Sequence, residues 1–157
     1  MLSMERGSFQ FRELTRADAD AIARWRYDDP YTLYDVDEPE HLLSGEYEYY
    51  AAFAEDGEII GFCCFGDDAR VPGLDEEPGV LDVGAGLRPD LTGIGLGGPF
   101  LREVCLFGAR LHDPMRLRVV IAEFNRRAQM VASALGFERD EVHRTDDREY
   151  VVMSREA

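Results

Sequence analysis

Four glycines stand within six residues near the middle of the chain, at Gly93, Gly95, Gly97 and Gly98. Residues without side chains let several backbone N–H groups converge on one anion. Pro99 follows at once, and because proline is favoured in the first turn of a helix, a helix is expected from here to about Leu111. The first turn of a helix has unpaired N–H groups and the positive end of the helix dipole. The segment is therefore predicted to bind a phosphate group.

Two other interpretations fit the same glycines. The string from Gly93 to Gly98 satisfies the dinucleotide-binding pattern G-x-G-x-x-G. That pattern normally follows its strand directly in a first βαβ unit, whereas five residues separate Gly93 from the end of the preceding predicted strand at Leu87. A flexible turn next to a helix end is the simpler alternative. The strand before the segment and the helix after it favour anion binding over both.

Two carboxylates could accept a proton near this segment. In the predicted strand 80–87, Asp82 shares one face with Gly84 and Gly86, so a carboxylate lies on an otherwise open face. Glu123, at the end of the next predicted strand, is the competing carboxylate. Either could instead be an ordinary solvated residue. His41 is a further candidate, although an exposed histidine in an acidic segment is the plainer interpretation.

Composition excludes several classes of protein. The chain has 157 residues with 17 basic and 32 acidic side chains, which gives a formal net charge of -15. All the basic residues are arginine, which excludes a Walker phosphate loop and a lysine Schiff base. So negative a surface repels nucleic acid and anionic lipid, and neither is an expected partner. The first thirty residues contain acids and no long apolar segment, so neither a signal peptide nor a membrane span is expected.

The three cysteines suggest packing rather than chemistry. Cys63 and Cys64 are adjacent, and Cys105 lies in a predicted helix among apolar residues. No C-x-x-C pair supplies the spacing of a zinc site, and three cysteines do not form the disulfide framework of a secreted protein. We therefore expect buried thiols in a reducing, cytoplasmic compartment, and no bound metal.

The length of the chain predicts one domain over residues 1–157. Thr15 and Asp18 form a capping box that opens the first helix, and Asn125 caps the last one. Asp56 and Gly57 form the turn of a hairpin. The remaining predicted elements are strands at 9–14, 46–54, 59–65 and 115–122, an irregular or turn-forming segment at 27–45, a loop at 66–79, and two strands near 137–143 and 148–154.

Two motifs together resemble those of the GNAT superfamily of N-acetyltransferases. The central motif of the family is R/Q-x-x-G-x-G/A after a strand that ends in V-x-P, and residues 87–97 match it except at Thr92, where the family has Arg or Gln. The next motif of the family, N-x-x-A followed by a helix that ends in L-G-F, matches Asn125, Ala128 and residues 135–137. The separation of the motifs and the order of the predicted elements agree with the family along essentially the whole chain.

The resemblance implies an α+β fold, in which a twisted, mixed but mostly antiparallel sheet of six to seven strands is flanked by about four helices and splayed near the glycine segment. It also implies that acetyl-CoA binds as a cosubstrate. The backbone of Leu87 and the side chain of Asn125 would hold the pantetheine arm, although Asn125 could equally serve only as a helix cap. The pyrophosphate would lie on the segment formed by Thr92, Gly93, Ile94, Gly95, Leu96, Gly97 and Gly98.

The activity that the resemblance implies is direct acetyl transfer to a primary amine of a small molecule, a peptide or a protein. In the family an acidic residue on the strand of Asp82 often draws the proton from the amine. The tyrosine that often protonates the departing thiolate falls on Ala132, so water, Tyr31 or Tyr34 would have to supply that proton. The alternative is a noncatalytic acyl-CoA-binding or regulatory module.

The sequence also suggests how the substrates would be held. Since Thr92 brings no charge to the pyrophosphate, Arg88 or Arg126 would substitute for the arginine of the family. If the chain self-associates, a twofold homodimer is the expected form. An aromatic and acidic mouth for a cationic amine could be formed by Tyr31, Tyr34, Asp35, Asp37 and Glu38.

Overall fold

A computed structural model of the protein describes residues 9–157, so residues 1–8 of the expected domain lie outside the described chain. Seven strands form one sheet, and four helices pack on it. Short 3-10 turns lie at Tyr31–Tyr34, Asp67–Ala69 and Pro89–Leu91. The helices and strands are β1 (Gln10–Glu13), α1 (Arg16–Arg24), α2 (Pro39–Leu43), β2 (Glu48–Phe53), β3 (Ile59–Phe65), β4 (Val80–Leu87), α3 (Gly97–His112), β5 (Arg116–Ala122), α4 (Arg126–Ala134), β6 (Glu138–Arg144) and β7 (Glu149–Glu156).

Local signals place the helix ends. The capping box at the start of α1 is confirmed, because the Thr15 hydroxyl accepts the Asp18 N–H and the Asp18 carboxylate accepts the Thr15 N–H. Asn125 caps α4 as expected, since its Oδ1 accepts the N–H of Ala128 at 3.1 Å. Helix α3 begins at Gly97 rather than at Pro99, because proline is tolerated anywhere in the first turn, where its missing N–H would have had no partner.

The sheet is mixed and mostly antiparallel, which confirms the expected fold class. Its strand order is β1-β2-β3-β4-β5-β7-β6, and the pair formed by β4 and β5 is the parallel one. The hairpin expected at Asp56 and Gly57 joins β2 to β3. Helices α3 and α4 contact each other and cover one face over a core that includes Ile60, Val104 and Leu117. Helices α1 and α2 cover the other face over a smaller core around Ile22 and Leu42.

The sheet splits in its middle. Strands β4 and β5 pair only from Val80 to Asp82 on one side and from Arg116 to Arg118 on the other. Beyond Asp82 the two strands diverge, which leaves a gap between the last five residues of β4 and the end of β5. We call this space the β4–β5 gap, and it is the splay that the sequence led us to expect.

Within residues 9–157, no helix combines the length and the apolar character that a membrane crossing requires.

Candidate functional site

The β4 edge of the gap presents backbone groups that β5 does not pair. The N–H of Arg88 and the carbonyl of Asp82 both bond toward β3, at Ile60 and Gly66. Because backbone groups of successive strand residues point to opposite sides, those of Ala85 and Leu87 point into the gap. The Leu87 carbonyl accepts a hydrogen bond from the Tyr27 hydroxyl at 2.5 Å. A ligand with amide groups could pair with this edge as a strand would.

The glycine segment lies at the end of the same strand and leads into α3. Gly93 and Gly95 have φ values of +73° and +87°, a conformation that other residues rarely adopt. A Cβ atom at Gly95 or Gly98 would meet nothing within 4 Å, so the surface above them is open. Leu96 stands at the cap position of the 16-residue helix α3, and within residues 9–157 no side-chain hydrogen bond caps this helix start. Its first N–H groups and its dipole therefore remain available to an anion.

Other residues of the glycine segment contribute backbone rather than side chains. Thr92 directs its hydroxyl to the Pro89 carbonyl at 2.7 Å, so this side chain stabilises the preceding turn. Ile94 is 62% exposed. The side chain of Leu96 packs against the main core. These contacts are compatible with an anion site built from main-chain amides.

Arg127 is the cation that the structure places beside the glycine segment. Its Nη1 atom lies 3.0 Å from the position that a Cβ on Gly93 would take, and its guanidinium lies 4.7 Å from the centre of the Tyr31 ring. The two arginines expected there have carboxylate partners. Arg88 pairs with Asp90 and Glu58, and Arg126 pairs with Glu123. Sequence reasoning missed Arg127, although its place two residues after Asn125 was the available signal.

Asn125 stands at the β5 side of the gap and uses both ends of its amide. Its Oδ1 caps α4, and its Nδ2 donates to the Tyr34 hydroxyl at 2.9 Å. The Tyr34 oxygen thus acts as an acceptor, and its own proton meets no acceptor within residues 9–157. Burial raises the pKa of Tyr34, and the hydrogen bond from Asn125 opposes this shift.

The segment from Tyr27 to Tyr34 spans the gap. Tyr27 reaches the end of β4 at Leu87, and Tyr34 reaches the end of β5 at Asn125. The ring of Tyr31 stacks on that of Tyr34 at 6.4 Å and lies against Phe124, with centroids 5.7 Å apart. Burial raises the pKa of Tyr27 well above its ordinary range, and its hydroxyl proton is already donated to Leu87. The aromatic half of the expected mouth is therefore present at the gap.

The acidic half of the expected mouth is dispersed. Asp35 accepts the backbone N–H of Tyr27 at 2.9 Å, so it holds the tyrosine segment together. Asp37 is 82% exposed and lies 4.0 Å from Arg26. Glu38 is exposed at the start of α2. Asp35 and Asp37 thus contact different groups, the Tyr27 backbone and the Arg26 side chain.

Asp82 lies at the closed end of the gap, not on the open face expected from the sequence. Its side chain is 1% exposed. Oδ1 accepts Nε of Arg118 at 2.6 Å, and Oδ2 accepts Nη1 of Arg70 at 2.8 Å. The open face that strand alternation predicted is covered by the turn at residues 67–70. With both oxygens occupied by guanidinium groups, this geometry argues against Asp82 as the group that accepts a proton.

Glu123 follows β5 and faces the first turn of α4. Its Oε1 atom accepts Nη2 of Arg126 at 2.7 Å, and its side chain is 34% exposed. The carboxylate is accessible to solvent, but its ion pair directs it along α4. A catalytic role for Glu123 stays a prediction.

The cysteines are packing residues. Cys63, Cys64 and Cys105 are all buried and free. Burial raises the pKa of Cys64 to about 12 and that of Cys105 to about 11, which keeps these thiols protonated and unreactive. Across residues 9–157, no group of three or more His, Cys, Asp or Glu side chains is arranged to hold a metal ion.

Taken together, the gap fits a long ligand with an amide-bearing arm and an anionic end. The arm would lie along Ala85 and Leu87 and reach Asn125, and the anion would lie on the glycines before α3. The pocket of about 370 Å³ between Glu48, Arg70 and His112 lies at the opposite, closed end of β4 and does not belong to this site.

Comparisons with known proteins agree with this geometry. Residues 9–138 match the family model of the acetyltransferase (GNAT) domain. The sequence matches none of the curated proteins with which it was compared.

Solved structures of similar fold include several acetyltransferases. The aminoglycoside acetyltransferase AAC(6')-Ib, bound to ribostamycin and coenzyme A, is 23% identical with a TM-score of 0.73 over 95% of this chain and 93% of that one. Spermidine N-acetyltransferase of Vibrio cholerae is 12% identical with a TM-score of 0.69 over 95% and 94%. Ribosomal-protein-S5-alanine acetyltransferase of Vibrio fischeri is 17% identical with a TM-score of 0.65 over 97% and 94%. At these identities the likeness establishes the fold.

Proposed function

The chain belongs to the GNAT acetyltransferase family, and we propose that it transfers the acetyl group of acetyl-CoA directly to a primary amine. The observation that carries this proposal is the continuity of two groups of free backbone donors. The unpaired edge of β4 at Ala85 and Leu87 is followed, after the short turn at Pro89–Leu91, by the glycine segment and the start of α3. An amide-bearing arm joined to a pyrophosphate has the same order of chemical groups.

The residues of the gap have separate tasks in this proposal. Leu87 pairs with the pantetheine arm through its backbone, and Asn125 contacts the same arm from the β5 side. The segment from Thr92 to Gly98 holds the pyrophosphate through main-chain amides, and Arg127 adds the positive charge that Thr92 does not bring. Backbone N–H groups that face the gap stabilise the negative charge that develops on the thioester oxygen.

The bound acetyl-CoA supplies a thioester, whose carbon accepts the amine nitrogen while the carbon–sulfur bond breaks. Two protons must move. An amine with a pKa of ~10.4 costs about 4.6 kcal/mol to deprotonate at pH 7, whereas release of a thiol with a pKa of ~8.5 as thiolate forgoes only about 2 kcal/mol. The group that accepts the proton from the amine therefore matters more than the group that protonates sulfur.

We assign the second proton to Tyr34. Its hydroxyl oxygen accepts a bond from Asn125, so its proton is free to be donated into the gap. Ala132, which occupies the place of the usual tyrosine, is buried in the main core and carries no proton to give. Tyr27 is a poorer donor because its proton is held by the Leu87 carbonyl. Water then returns a proton to Tyr34.

The acceptor is proposed to be a primary amine, and a cationic amine is the first class to test in so acidic a protein. The amine panel consists of spermidine, ribostamycin and a peptide with an N-terminal alanine, chosen from the acceptors that the similar structures name. The tyrosine segment offers aromatic faces against which a cation could lie. Location in the cytoplasm and dimer formation remain proposals on the grounds given by the sequence.

Calorimetry with acetyl-CoA, followed by a thiol-release assay with the amine panel, tests the function. The buried cysteines give little background in such an assay. We expect saturable binding of acetyl-CoA and release of free thiol with at least one amine. Binding without release on any amine would support a noncatalytic acyl-CoA-binding module, and absence of binding would overturn the proposal.

A further inference from the structure

Three side chains outside the predicted site form a connected group on the α2 face of the sheet. The Asp68 carboxylate accepts a hydrogen bond from the Tyr49 hydroxyl and lies 2.7 Å from Nε2 of His41. We call His41, Asp68 and Tyr49 the His41 cluster. His41 lies on α2, Tyr49 on β2 and Asp68 in the turn after β3, so three separate elements bring the cluster together.

The cluster lies beside the start of the β4–β5 gap. Strand register aligns Tyr49 with Cys64, and Cys64 with Gly84, in one row across three strands. Gly84 is two residues beyond Asp82, the last β4 residue that pairs with β5. A Cβ atom at Gly84 would lie 3.5 Å from Ala69, the neighbour of Asp68. The cluster and this row lie on the face that carries α1 and α2, whereas α3 and α4 cover the opposite face.

The arrangement suits an imidazole that acts as a base. A carboxylate partner fixes the ring tautomer in which Nε2 carries the proton, so Nδ1 keeps a free lone pair. The His41 side chain is 43% exposed, whereas Asp68 is 25% exposed. The imidazole is therefore accessible to solvent, while the less exposed carboxylate holds it from the inner side.

We propose that His41 accepts the proton of the attacking amine, directly or through one water, and that Asp68 is the residue that positions it. The proposal rests on the proposed acetyl transfer. As the nitrogen–carbon bond forms, the proton leaves the amine nitrogen for Nδ1 of His41 and then passes to solvent. The charged and titratable groups that face this ring are Asp68, Tyr47 and Tyr49, with the exposed Arg16–Glu40 ion pair between α1 and α2 beyond them.

The protein contains a matched control on its other face. There, Oε2 of Glu48 lies 2.7 Å from Nε2 of His112 and accepts the Tyr50 hydroxyl at 3.0 Å. This second group of Tyr, carboxylate and His has the same chemistry as the His41 cluster. It lies at the end of α3 next to Phe65, on the face away from α2.

The first experiment compares His41→Gln with His112→Gln. For the amine of the panel that reacts fastest, kcat/KM is measured against pH, and acetyl-CoA affinity by calorimetry. We expect His41→Gln to lower kcat/KM by about 100-fold or more, the usual worth of a general base, with acetyl-CoA affinity within twofold of the parent. Ionisation of the amine lowers kcat/KM with falling pH in every variant. Because a base works only when deprotonated, the parent should show an additional fall at low pH, and this additional acid limb should be absent in His41→Gln. His112→Gln should retain both the kcat/KM of the parent and the pH profile of the parent.

The second experiment separates chemistry from structure. Added imidazole should restore turnover to His41→Ala and leave His112→Ala unchanged. Asp68→Asn should lower kcat about tenfold with KM unchanged, Asp68→Glu should recover part of that loss, and Glu48→Gln should have no effect.

The outcomes distinguish the two proposals. A parent protein that neither binds acetyl-CoA nor releases thiol would overturn the proposed function and this inference with it. With an active parent, three results would overturn the inference alone: a His41→Gln rate within twofold of the parent, a His41→Gln pH profile identical to that of the parent, or an equal loss of rate in His112→Gln.

Discussion

The two ends of β4 differ in their pairing with β5 and in the polar groups that they present. At its first residues the strand is paired to β5, and the Asp82 carboxylate is buried between the guanidinium groups of Arg70 and Arg118. At its last residues it has no β5 partner, and its outward polar groups belong to the backbone of Ala85 and Leu87. One end is closed by charged side chains, and the other is open and lined by main chain.

This difference separates stability from function along one strand. The buried ion pairs tie β4, β5 and the turn at residues 67–70 together at the point where the sheet divides. Because these ion pairs hold the two strands together where they separate, the rest of the gap can stay open. A ligand can then make the hydrogen bonds that a neighbouring strand would otherwise make. We infer that Asp82 supports the gap, and a catalytic role for its carboxylate stays a prediction.

The largest effect is expected at the closed end. Asp82→Asn removes the charge that faces two buried arginines and should lower the free energy of unfolding by about 3–5 kcal/mol, measured by urea denaturation. Asp90→Asn is the matched control. The Arg88–Asp90 pair has a similar length of 2.7 Å, but Asp90 is 64% exposed, so the loss there should stay below about 1 kcal/mol.

The same variant tests the role of Asp82 in the reaction. At a temperature where Asp82→Asn is folded, its kcat should stay within tenfold of the parent. A variant of full stability that has lost turnover would make Asp82 the proton acceptor and would remove the distinction between the two ends.

The next largest effect is expected in the glycine segment. Gly95→Asp places a carboxylate in the proposed anion site and should weaken acetyl-CoA binding by about 100-fold or more, measured by calorimetry. Gly57→Asp is the control, because Gly57 has a similar φ of +84° and equally open surroundings in the β2–β3 turn. Both variants carry the same backbone cost of about 1–2 kcal/mol. Equal affinity in the two variants would place the pyrophosphate elsewhere.

The sequence predicted the elements whose signals are local. The Thr15 and Asp18 capping box, the Asp56 and Gly57 turn and the Asn125 cap each depend on residues within a few positions of one another. The helix α3 after the glycine segment was predictable for the same reason, since the glycines, Pro99 and the helix are contiguous.

The contacts of each predicted side chain could not be predicted from such local signals. Arg118 is 36 residues from Asp82, Tyr27 is 60 residues from Leu87, and Tyr34 is 91 residues from Asn125. Such contacts depend on how the sheet and the segment over it are arranged in space. The sequence therefore indicated an open face for Asp82, which shares it with two glycines, although the fold brings two arginine side chains to its carboxylate.

A smaller effect is expected for the charge beside the glycines. Arg127→Gln should weaken acetyl-CoA binding about fivefold, because a largely exposed guanidinium contributes modestly to holding a pyrophosphate. Arg126→Gln removes the same charge from the neighbouring residue, whose guanidinium is paired with Glu123. It should leave the affinity within twofold of the parent. Equal losses would mean that net charge, and not the position of Arg127, controls affinity.

The smallest effect has the opposite sign. The Tyr27 hydroxyl bonds to the Leu87 carbonyl in the free protein, and the pantetheine arm is proposed to use the same part of the strand. A contact that exists only in the free state opposes binding. Tyr27→Phe should therefore strengthen acetyl-CoA binding about threefold, or about 0.6 kcal/mol, at the low end of the net worth of one hydrogen bond.

Tyr31→Phe provides the comparison for this variant, because the Tyr31 hydroxyl has no hydrogen-bond partner within residues 9–157 and the ring belongs to the same segment. Binding can be followed through the single tryptophan, Trp25, which stands two residues before Tyr27 with its ring 6.3 Å from that of Phe62. Tighter binding in Tyr27→Phe but not in Tyr31→Phe would mean that the open end of β4 is held by a replaceable contact. Weaker binding in Tyr27→Phe would mean instead that the Tyr27 hydroxyl contacts the ligand. Tyr27 would then stay at the open end of β4 when acetyl-CoA is bound.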